Sequence, residues 1–325
     1  MYNQKPSDFH IMYFHIMQNS DLIRLYNLRF AWWNIGISPA AASKSDMVDF
    51  DNLTTELLAL FTVHRASLLA ICEVSCSDVK EIAQRLSSPY KILDLTFKTG
   101  RTRFDTAIIY DSKKINVSHL KDLTSKIQGR TIKAAQKIKV IELKDGDEFV
   151  LYLCHWPSRL RGDGEAKRLR AADILYLDSS EEMSNGKLAI IMGDFNDNPY
   201  DVSIQNNLCA LRCHDATRKY PMEIFYNPFW RKLVSKSNYN HLSGKQNKFH
   251  SGSHYYVSAS QSNWHMFDQI MVSGGFLGST KWHLQESETG VIDNGQYLTN
   301  ILDNGSIHDH LPVICEITKP EVNNV

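Results

Sequence analysis

The sequence has no long hydrophobic run and no excess of charge of one sign. Its 325 residues include 36 Lys or Arg and 36 Asp or Glu. This balance gives no overall field that would draw the protein to nucleic acid or to an anionic membrane, although it is compatible with a local basic groove. No stretch of about 18 consecutive apolar residues occurs, so the sequence predicts no membrane-spanning helix.

Cysteine is sparse, and its spacing does not indicate a zinc site. The six cysteines include no CxxC pair, which is the common spacing of zinc ligands. The first 21 residues carry one Lys and an apolar run interrupted by His10 and His15, unlike a secretory signal. We therefore expect a cytoplasmic protein with reduced cysteines. We also expect an N-terminal extension over residues 1–27, a candidate for disorder, and a single domain over residues 28–320.

Short apolar runs alternate with helical patterns and predict a mixed fold. Helical periodicity occurs over residues 47–63, 77–87 and 165–183. An Asp-Gly pair at 145–146 separates two apolar runs and indicates a β-hairpin. A hairpin within a mixed pattern favours an α/β or α+β sandwich over a doubly wound fold, which needs strict alternation. The predicted strands are LRFAWW, SLLAIC, TAIIY, KIKVIEL, FVLYLC, LAIIM, FDQIMV and LPVICEI.

Polar groups stand at the ends of many of these strands. The segment LAIIMGDFNDNP places two carboxylates and two amides directly after an apolar strand, more than a turn requires. Other strands begin or end in the same way. If strands run in both directions in packed sheets, these groups converge on one rim. They are Asn34, Glu73, His155, Asp194, Asn196, Asp268, Asp309 and His310.

Four carboxylates gathered at one rim would repel one another. Such a cluster is tolerated when a divalent cation or a protonated histidine neutralises it. Oxygen ligands without thiolates favour Mg²⁺ or Mn²⁺. Histidine and arginine beside such an ion indicate hydrolysis at phosphorus. Taken singly, each of these residues is more simply explained as a turn or capping residue, but their coincidence at so many strand ends favours a functional site.

Six short segments carry a resemblance to a known family. They are WWN (32–34), ICE (71–73), CHWPSR (154–159), GDFN (193–196), FDQI (267–270) and HDHLPV (308–313). In this order they resemble the endonuclease/exonuclease/phosphatase superfamily, which has the fold of deoxyribonuclease I. The resemblance implies a four-layer α-β-β-α sandwich of two mixed β-sheets. It also implies hydrolysis of a phosphoester with Mg²⁺ or Mn²⁺ as cofactor.

The resemblance implies metal ligands as well. Glu73 resembles the principal ligand, Asn34 would lie close to the metal and the phosphate, and Asp309 would be a further ligand. Two positions depart from the family pattern. Gly36 stands where an acidic residue is common in abasic-site endonucleases, and His308 replaces a serine.

Catalytic roles follow from the same resemblance. Asp194 and Asn196 would orient the attacking water or bind the phosphoryl oxygens. His310 paired with Asp268 resembles a general base or a phosphate-binding histidine, and an aspartate on one imidazole nitrogen fixes the tautomer and raises basicity. His155 would donate a proton to the phosphate or to the leaving oxygen. The residue that acts as the base is left open between histidine and aspartate.

Two segments are candidates for substrate binding. Residues 224–267 contain five Lys or Arg, four His and no acidic residue, and residues 159–170 contain five Lys or Arg. Interleaved aromatic and basic groups suit a nucleic-acid strand, but they equally describe an ordinary surface excursion packed on a sheet edge. The candidate substrate contacts are Arg159, Arg161, Arg103, Trp230 and Tyr255.

Three hypotheses for function follow. The first is a metal-dependent nuclease that cuts DNA or RNA, which the local basic segments favour. The second is a phosphatase or phosphodiesterase that acts on a small phosphorylated molecule or a lipid headgroup, which the zero net charge allows. The third is a binding protein with an inactive site, which the intact set of acidic residues and histidines disfavours.

Overall fold

The computed structural model describes residues 24–100, 102–127, 129–159, 162–233, 241, 250–256, 262–302 and 307–321. Most of the predicted N-terminal extension lies outside these residues, as does Arg161. The first strand, β1 (Leu25–Asn34), begins before the predicted Leu28. None of the described helices is long and apolar enough to cross a membrane.

The described strands form two large mixed sheets. The first has the order β16 (His283–Val291), β17 (Val313–Pro320), β1, β2 (Leu68–Cys72), β6 (Thr106–Asp111) and β3 (Tyr90–Asp94). The second has the order β11 (Ala210–Leu211), β12 (Phe225–Tyr226), β15 (Asp268–Ser273), β10 (Leu188–Asp194), β9 (Glu148–His155), β8 (Arg130–Glu142) and β7 (Ile115–Ile127). Two small hairpins join β4 (Phe97–Thr99) to β5 (Thr102–Phe104) and β13 (His254–Tyr255) to β14 (Trp264–His265).

Five α-helices occur in the described part of the chain. They are α1 (Phe50–Thr62), α2 (Cys76–Arg85), α3 (Gly164–Ser184), α4 (His214–Lys219) and α5 (Gln296–Leu302). Short turns of 3₁₀ helix lie at Ser45–Met47, Pro228–Lys232 and Gly274–Leu277, and a π-helical turn lies at Ser203–Asn207. The three predicted helices correspond to α1, α2 and α3.

The central strands are buried on both faces, which explains their continuous apolar sequences. In β1, Phe30 and Trp32 pack between the two sheets, whereas Ala31 and Trp33 pack in the cluster that contains the apolar face of α1. In β9, alternate residues likewise join the layer between the sheets or the cluster beneath α3. The order is therefore helix, sheet, sheet, helix, and the predicted fold class is confirmed.

The strand directions bring the polar strand ends to one rim. In the second sheet β9 and β10 run parallel, so His155 and Asp194 lie side by side, and the antiparallel β15 places Asp268 opposite Asp194. In the first sheet β1 and β2 end together, at Asn34 and just before Glu73. The antiparallel β17 starts opposite β1, so Asp309 and His310 also reach this rim.

Candidate active site

A buried aspartate fixes the orientation of His310. Nδ1 of His310 lies 2.6 Å from Oδ2 of Asp268, and both side chains are buried. Trp32 donates its indole N–H to Oδ1 of Asp268 over 2.9 Å, and the Ser253 hydroxyl donates to Oδ2 over 2.7 Å. Burial alone would lower the pKa of His310, but Asp268 and Asp194 raise it well above its usual range. Nε2 of His310 is therefore left as a proton-bearing donor.

A second pair mirrors this arrangement. Nδ1 of His155 lies 3.0 Å and 3.1 Å from the two carboxylate oxygens of Asp105, and its Nε2 lies 3.8 Å from Oε1 of Glu73. Burial opposes protonation, but Asp105 together with Asp194 and Glu73 raises the pKa of His155 to about 9. Sequence reasoning missed Asp105. The signal was present, because FDTAII at 104–109 has the same Phe-Asp before a strand as FDQIMV at 267–272.

Asp194 lies between these two histidines. Its Oδ2 accepts a hydrogen bond from Nδ2 of Asn34 over 3.1 Å and lies 3.9 Å from Nε2 of His310. The preceding Gly193 permits this position, because a Cβ there would lie 2.0 Å from the backbone carbonyl oxygen of Cys154. The glycine of GDFN is thus required by the close contact of β10 with β9.

Two site residues have left-handed backbone conformations. Glu73 has φ +57° and Asn196 has φ +51°, which non-glycine residues seldom adopt and which are frequent at functional sites. The backbone N–H of Asn196 donates to Oδ1 of Asp194 over 2.9 Å, and its side-chain amide donates to the carbonyl of Trp156 over 3.1 Å. Burial raises the pKa of Glu73, while His155 and His310 oppose this rise.

Asp309 and an unpredicted histidine complete the rim. The Asp309 side chain is 58% exposed, and its Oδ1 lies 3.9 Å from Nε2 of His310. His254, from the β13–β14 hairpin, places its Nε2 3.8 Å from Oδ2 of Asp309. No sequence pattern identified His254, because its partner is more than fifty residues away and it lies in a segment that was interpreted as a substrate contact region.

The donor set fits a divalent cation bound by oxygen. Among the described residues, Glu73, Asp194 and Asp309 form no ion pair with Lys or Arg, and the basic groups within 4.0 Å of their oxygens are histidine rings. Asp268 already accepts three hydrogen bonds from its neighbours, so it is the least available of the four carboxylates. Such hard oxygen donors suit Mg²⁺ or Mn²⁺. The side-chain amide of Asn34 donates its N–H to Asp194, and its oxygen accepts a hydrogen bond from the backbone N–H of Gly36.

Two of the three arginines predicted to contact substrate, Arg159 and Arg103, are paired with protein groups. Arg159 donates to Asp197 over 3.0 Å and also pairs with Asp201. Its guanidinium lies 5.2 Å from the centre of the Phe267 ring. Arg103 donates to the backbone carbonyl of Ser38. Arg161 lies outside the described residues, and the substrate roles of all three stay predictions.

The predicted aromatic contacts lie at separate places. Tyr255 packs against Trp264, with ring centroids 5.0 Å apart, and its backbone N–H donates to the carbonyl of Asp309 over 3.3 Å. Tyr255 is therefore adjacent to the candidate catalytic rim, the sheet edge that carries Glu73, His155, Asp194, Asp309 and His310. Trp230 lines a cleft of about 190 Å³ together with Arg212, whose guanidinium lies 5.1 Å from the Trp230 ring centre.

The chain has two packed mixed sheets, with histidines paired to carboxylates at one rim. This combination indicates a phosphoester hydrolase, and the family comparison leads to the same class. The model of the Endonuclease/Exonuclease/phosphatase family matches residues 42–309, and the chain belongs to this family. Members of the family hydrolyse phosphoester bonds and generally use divalent metals. No curated protein matches the sequence.

Solved structures with this fold include proteins with different functions. A family protein from Bacteroides thetaiotaomicron has a TM-score of 0.57 and 14% identity, over 91% of this chain and 96% of its own. A mannosyl-6-phosphatase from the same species has a TM-score of 0.57 and 14% identity, over 89% and 99%. D. rerio TDP2, complexed with a single-strand DNA product, has a TM-score of 0.54 and 14% identity, over 90% and 98%. At such identity the likeness concerns the fold.

Proposed function

We propose that this protein is a divalent-metal-dependent nuclease that hydrolyses phosphodiester bonds of DNA or RNA. The observation that carries the proposal is the pair of Asp–His couples, Asp105–His155 and Asp268–His310, on either side of Asp194. Two imidazoles held protonated by buried aspartates can bind the non-bridging oxygens of one phosphate. A carboxylate between them stands where an attacking water would be activated.

The directions of the histidine pKa shifts support one division of catalytic roles. His310 and His155 both have raised pKa values, so at neutral pH each is a proton donor, and neither is available as a base. Asp194 is the group that would accept the proton of the attacking water. His155 would then deliver a proton to the leaving oxygen, with Asp105 holding its other nitrogen.

Two acidic residues, Glu73 and Asp309, would hold the metal ion, beside the Asp194 carboxylate that accepts the proton. When bound, Mg²⁺ or Mn²⁺ supplies positive charge for the phosphoryl oxygens. The remaining stabilisation comes from the chain itself. Asn34 fixes Asp194 through a side-chain hydrogen bond, and the backbone N–H of Asn196 fixes its other oxygen.

A specific observation favours a second candidate, a phosphatase acting on a small phosphorylated molecule. Arg159, the predicted phosphate clamp, is held by two aspartates, and Arg103 is bonded to a carbonyl. Fewer cations are then available to track a polyanionic strand. The mannosyl-6-phosphatase with the same fold is consistent with this candidate.

The test is hydrolysis by the purified protein with Mg²⁺ or Mn²⁺. Supercoiled plasmid, single-stranded DNA, RNA and a panel of phosphomonoesters are assayed with the wild type, Asp194→Asn and Asp215→Asn. Asp215 is an exposed residue of α4 and serves as the matched control. We expect cleavage of nucleic acid by the wild type and the control, lost on chelation and in Asp194→Asn. Phosphate release from monoesters alone would support the phosphatase, and no metal-dependent hydrolysis would contradict both.

A further inference from the structure

A third imidazole lies beside the Asp268–His310 pair, and the proposed hydrolysis gives it no role. The ring centroid of His254 lies 4.4 Å from that of His310. Both Nε2 atoms approach the carboxylate of Asp309, at 3.8 Å and 3.9 Å. One donor atom from each of these three side chains lies within 4.8 Å of the other two.

The backbone holds the two histidines at this spacing. His254 and His310 form an antiparallel β-bridge, and the N–H of Tyr255 donates to the carbonyl of Asp309 over 3.3 Å. The His254 ring also stacks on Phe267, with centroids 5.3 Å apart. The imidazoles are therefore preorganised, whereas the exposed Asp309 carboxylate is able to adjust its position.

These donors differ in kind from those around Asp194. Two imidazole nitrogens and one carboxylate suit zinc and related transition metals better than Mg²⁺. Ligand atoms around a tetrahedral zinc ion lie roughly 3.4 Å apart, as bond lengths of about 2.1 Å require. The two histidines lie 3.8 Å and 3.9 Å from different oxygens of Asp309. All three donor atoms lie within 4.8 Å of one another, so adjustments of up to about 1.4 Å would close the site.

The surroundings of His310 are those of a metal-ligating histidine. Its Nδ1 is bonded to Asp268, and Asp268 is in turn held by Trp32 and Ser253. Carboxylates in this position orient a ligating imidazole and make its other nitrogen a better donor. Metal binding needs the lone pair of Nε2, so the proton on that atom leaves to solvent when the ion enters.

We propose that His254, Asp309 and His310 form a site for a transition-metal ion of the zinc class, and that this ion inhibits the enzyme. Inhibition follows because the ion occupies Nε2 of His310, the atom that the proposed function assigns to the phosphate. The inhibitory part rests on that proposed function, whereas ion binding itself does not. The site is therefore testable in the absence of any substrate.

Binding is tested with Co²⁺, whose visible absorption reports a site of low coordination number. The protein is titrated with Co²⁺ in excess Mg²⁺, and Zn²⁺ is then added. His254→Gln is compared with His265→Gln, because His265 pairs with His254 across the hairpin and its ring lies 6.4 Å away. We expect the wild type and His265→Gln to bind Co²⁺ and release it to Zn²⁺. The affinity of His254→Gln should fall at least about ten-fold.

Unchanged Co²⁺ affinity in His254→Gln, or displacement of Co²⁺ by Mg²⁺, would overturn the proposed site. If thermal denaturation shows that His254→Gln is not folded, Asp309→Asn replaces it, because the Asp309 side chain is largely exposed. The same loss of Co²⁺ affinity is expected for this variant, and its retention of wild-type affinity would also overturn the site.

Inhibition is measured as the zinc concentration that halves Mg²⁺-dependent hydrolysis, relative to each variant's own uninhibited rate. This concentration should be equal in the wild type and His265→Gln and at least about ten-fold higher in His254→Gln. If the protein binds Co²⁺ through His254 but hydrolyses no phosphoester, the proposed function is contradicted and the ion site is still supported. Hydrolysis that zinc does not inhibit, in a protein that binds no Co²⁺, would overturn the ion site alone.

Discussion

Two clusters of carboxylates lie at opposite ends of the sandwich, and in only one of them does a single lysine contact every carboxylate; at the other, Lys133 lies 3.7 Å from Asp105 alone. Strand β17 runs from the catalytic rim at Val313 to Lys319 at the other end. There Nζ of Lys319, whose side chain is 3% exposed, lies 2.9 Å from Glu142, 2.5 Å from Asp145 and 2.9 Å from Asp147. At the catalytic rim, Glu73 and Asp194 have only histidines as charged partners among the described residues.

The difference supports a structural role for the Lys319 cluster and the proposed functional role for the other cluster. Burial opposes ionisation of Asp147, but hydrogen bonds from Lys281, Lys319 and Trp282 lower its pKa to about 2. Burial raises the pKa of Glu73, by contrast, although His155 and His310 oppose this rise. Among the described residues, Glu73 and Asp194 have no Lys or Arg partner, and this supports the proposal that an external cation binds beside them.

The largest effect is expected from Asp194→Asn. This change removes the proton acceptor between the two histidines, so hydrolysis should fall on the order of 10³-fold. The unfolding free energy should stay within about 1 kcal/mol of the wild type, because one repulsive charge is lost together with the His310 attraction. Steady-state kinetics and urea denaturation measure the two quantities. Loss of stability with retained activity would reverse the assignment of the two clusters.

Lys319→Met should have the opposite profile. It leaves the fully buried Glu142 without its cation, which should cost about 3 kcal/mol of unfolding free energy. Activity per folded molecule should be unchanged, because the lysine lies at the far end of β17. Urea denaturation and hydrolysis at a temperature where the variant is folded provide the measurement. A variant as stable as the wild type would show that this cluster is not held by its lysine.

Asp105→Asn tests the histidine charge at the catalytic rim. In the wild type the pKa of His155 is about 9, raised by Asp105 against burial, so the stabilisation from this pair is present below about pH 6.5 and is lost as pH rises through about 9. In the variant burial is opposed less strongly, and the pKa of His155 should fall. NMR titration of the histidine ring protons measures both proteins. An unchanged His155 titration would remove Asp105 from the site.

The smallest effect is expected from Lys281→Met. Lys281 contacts Asp147 over 2.6 Å, but its side chain is 57% exposed, and exposed ion pairs contribute about 1 kcal/mol or less. The variant therefore separates the exposed lysine from the buried one. Urea denaturation measures the unfolding free energy of both variants. If Lys281→Met loses as much unfolding free energy as Lys319→Met, burial does not explain the difference between the two lysines.

Strand sequences predicted much of the fold and part of the site. The apolar runs identified β1, β2, β6, β8, β9, β10, β15 and β17, because strands buried on both faces need continuous apolar sequence. Polar residues at their ends identified Asp194 and His310. Strand β1 began earlier than predicted. Leu25 is exposed and Tyr26 and Asn27 are only partly buried, so these residues extend no buried apolar run although they pair with β17.

The missed residues share a physical reason. Asp105 and His254 act through partners far away in the sequence, and a single chain does not reveal such pairs. Trp32 was predicted only as a strand residue, although its indole N–H also donates to Asp268. The contacts of Arg159 with Asp197 and Asp201 depend on the conformation of a long side chain. Hydrophobic patterning in the sequence does not determine that conformation.

The central claim is that the catalytic rim, and not the Lys319 cluster, binds a divalent cation. Mn²⁺ titration followed by electron paramagnetic resonance of the free ion tests it directly, with the wild type, Glu73→Gln and Glu142→Gln. The account predicts saturable binding in the wild type and Glu142→Gln, and at least about ten-fold weaker binding in Glu73→Gln. Equal binding in Glu73→Gln, or loss of binding in Glu142→Gln alone, would contradict it.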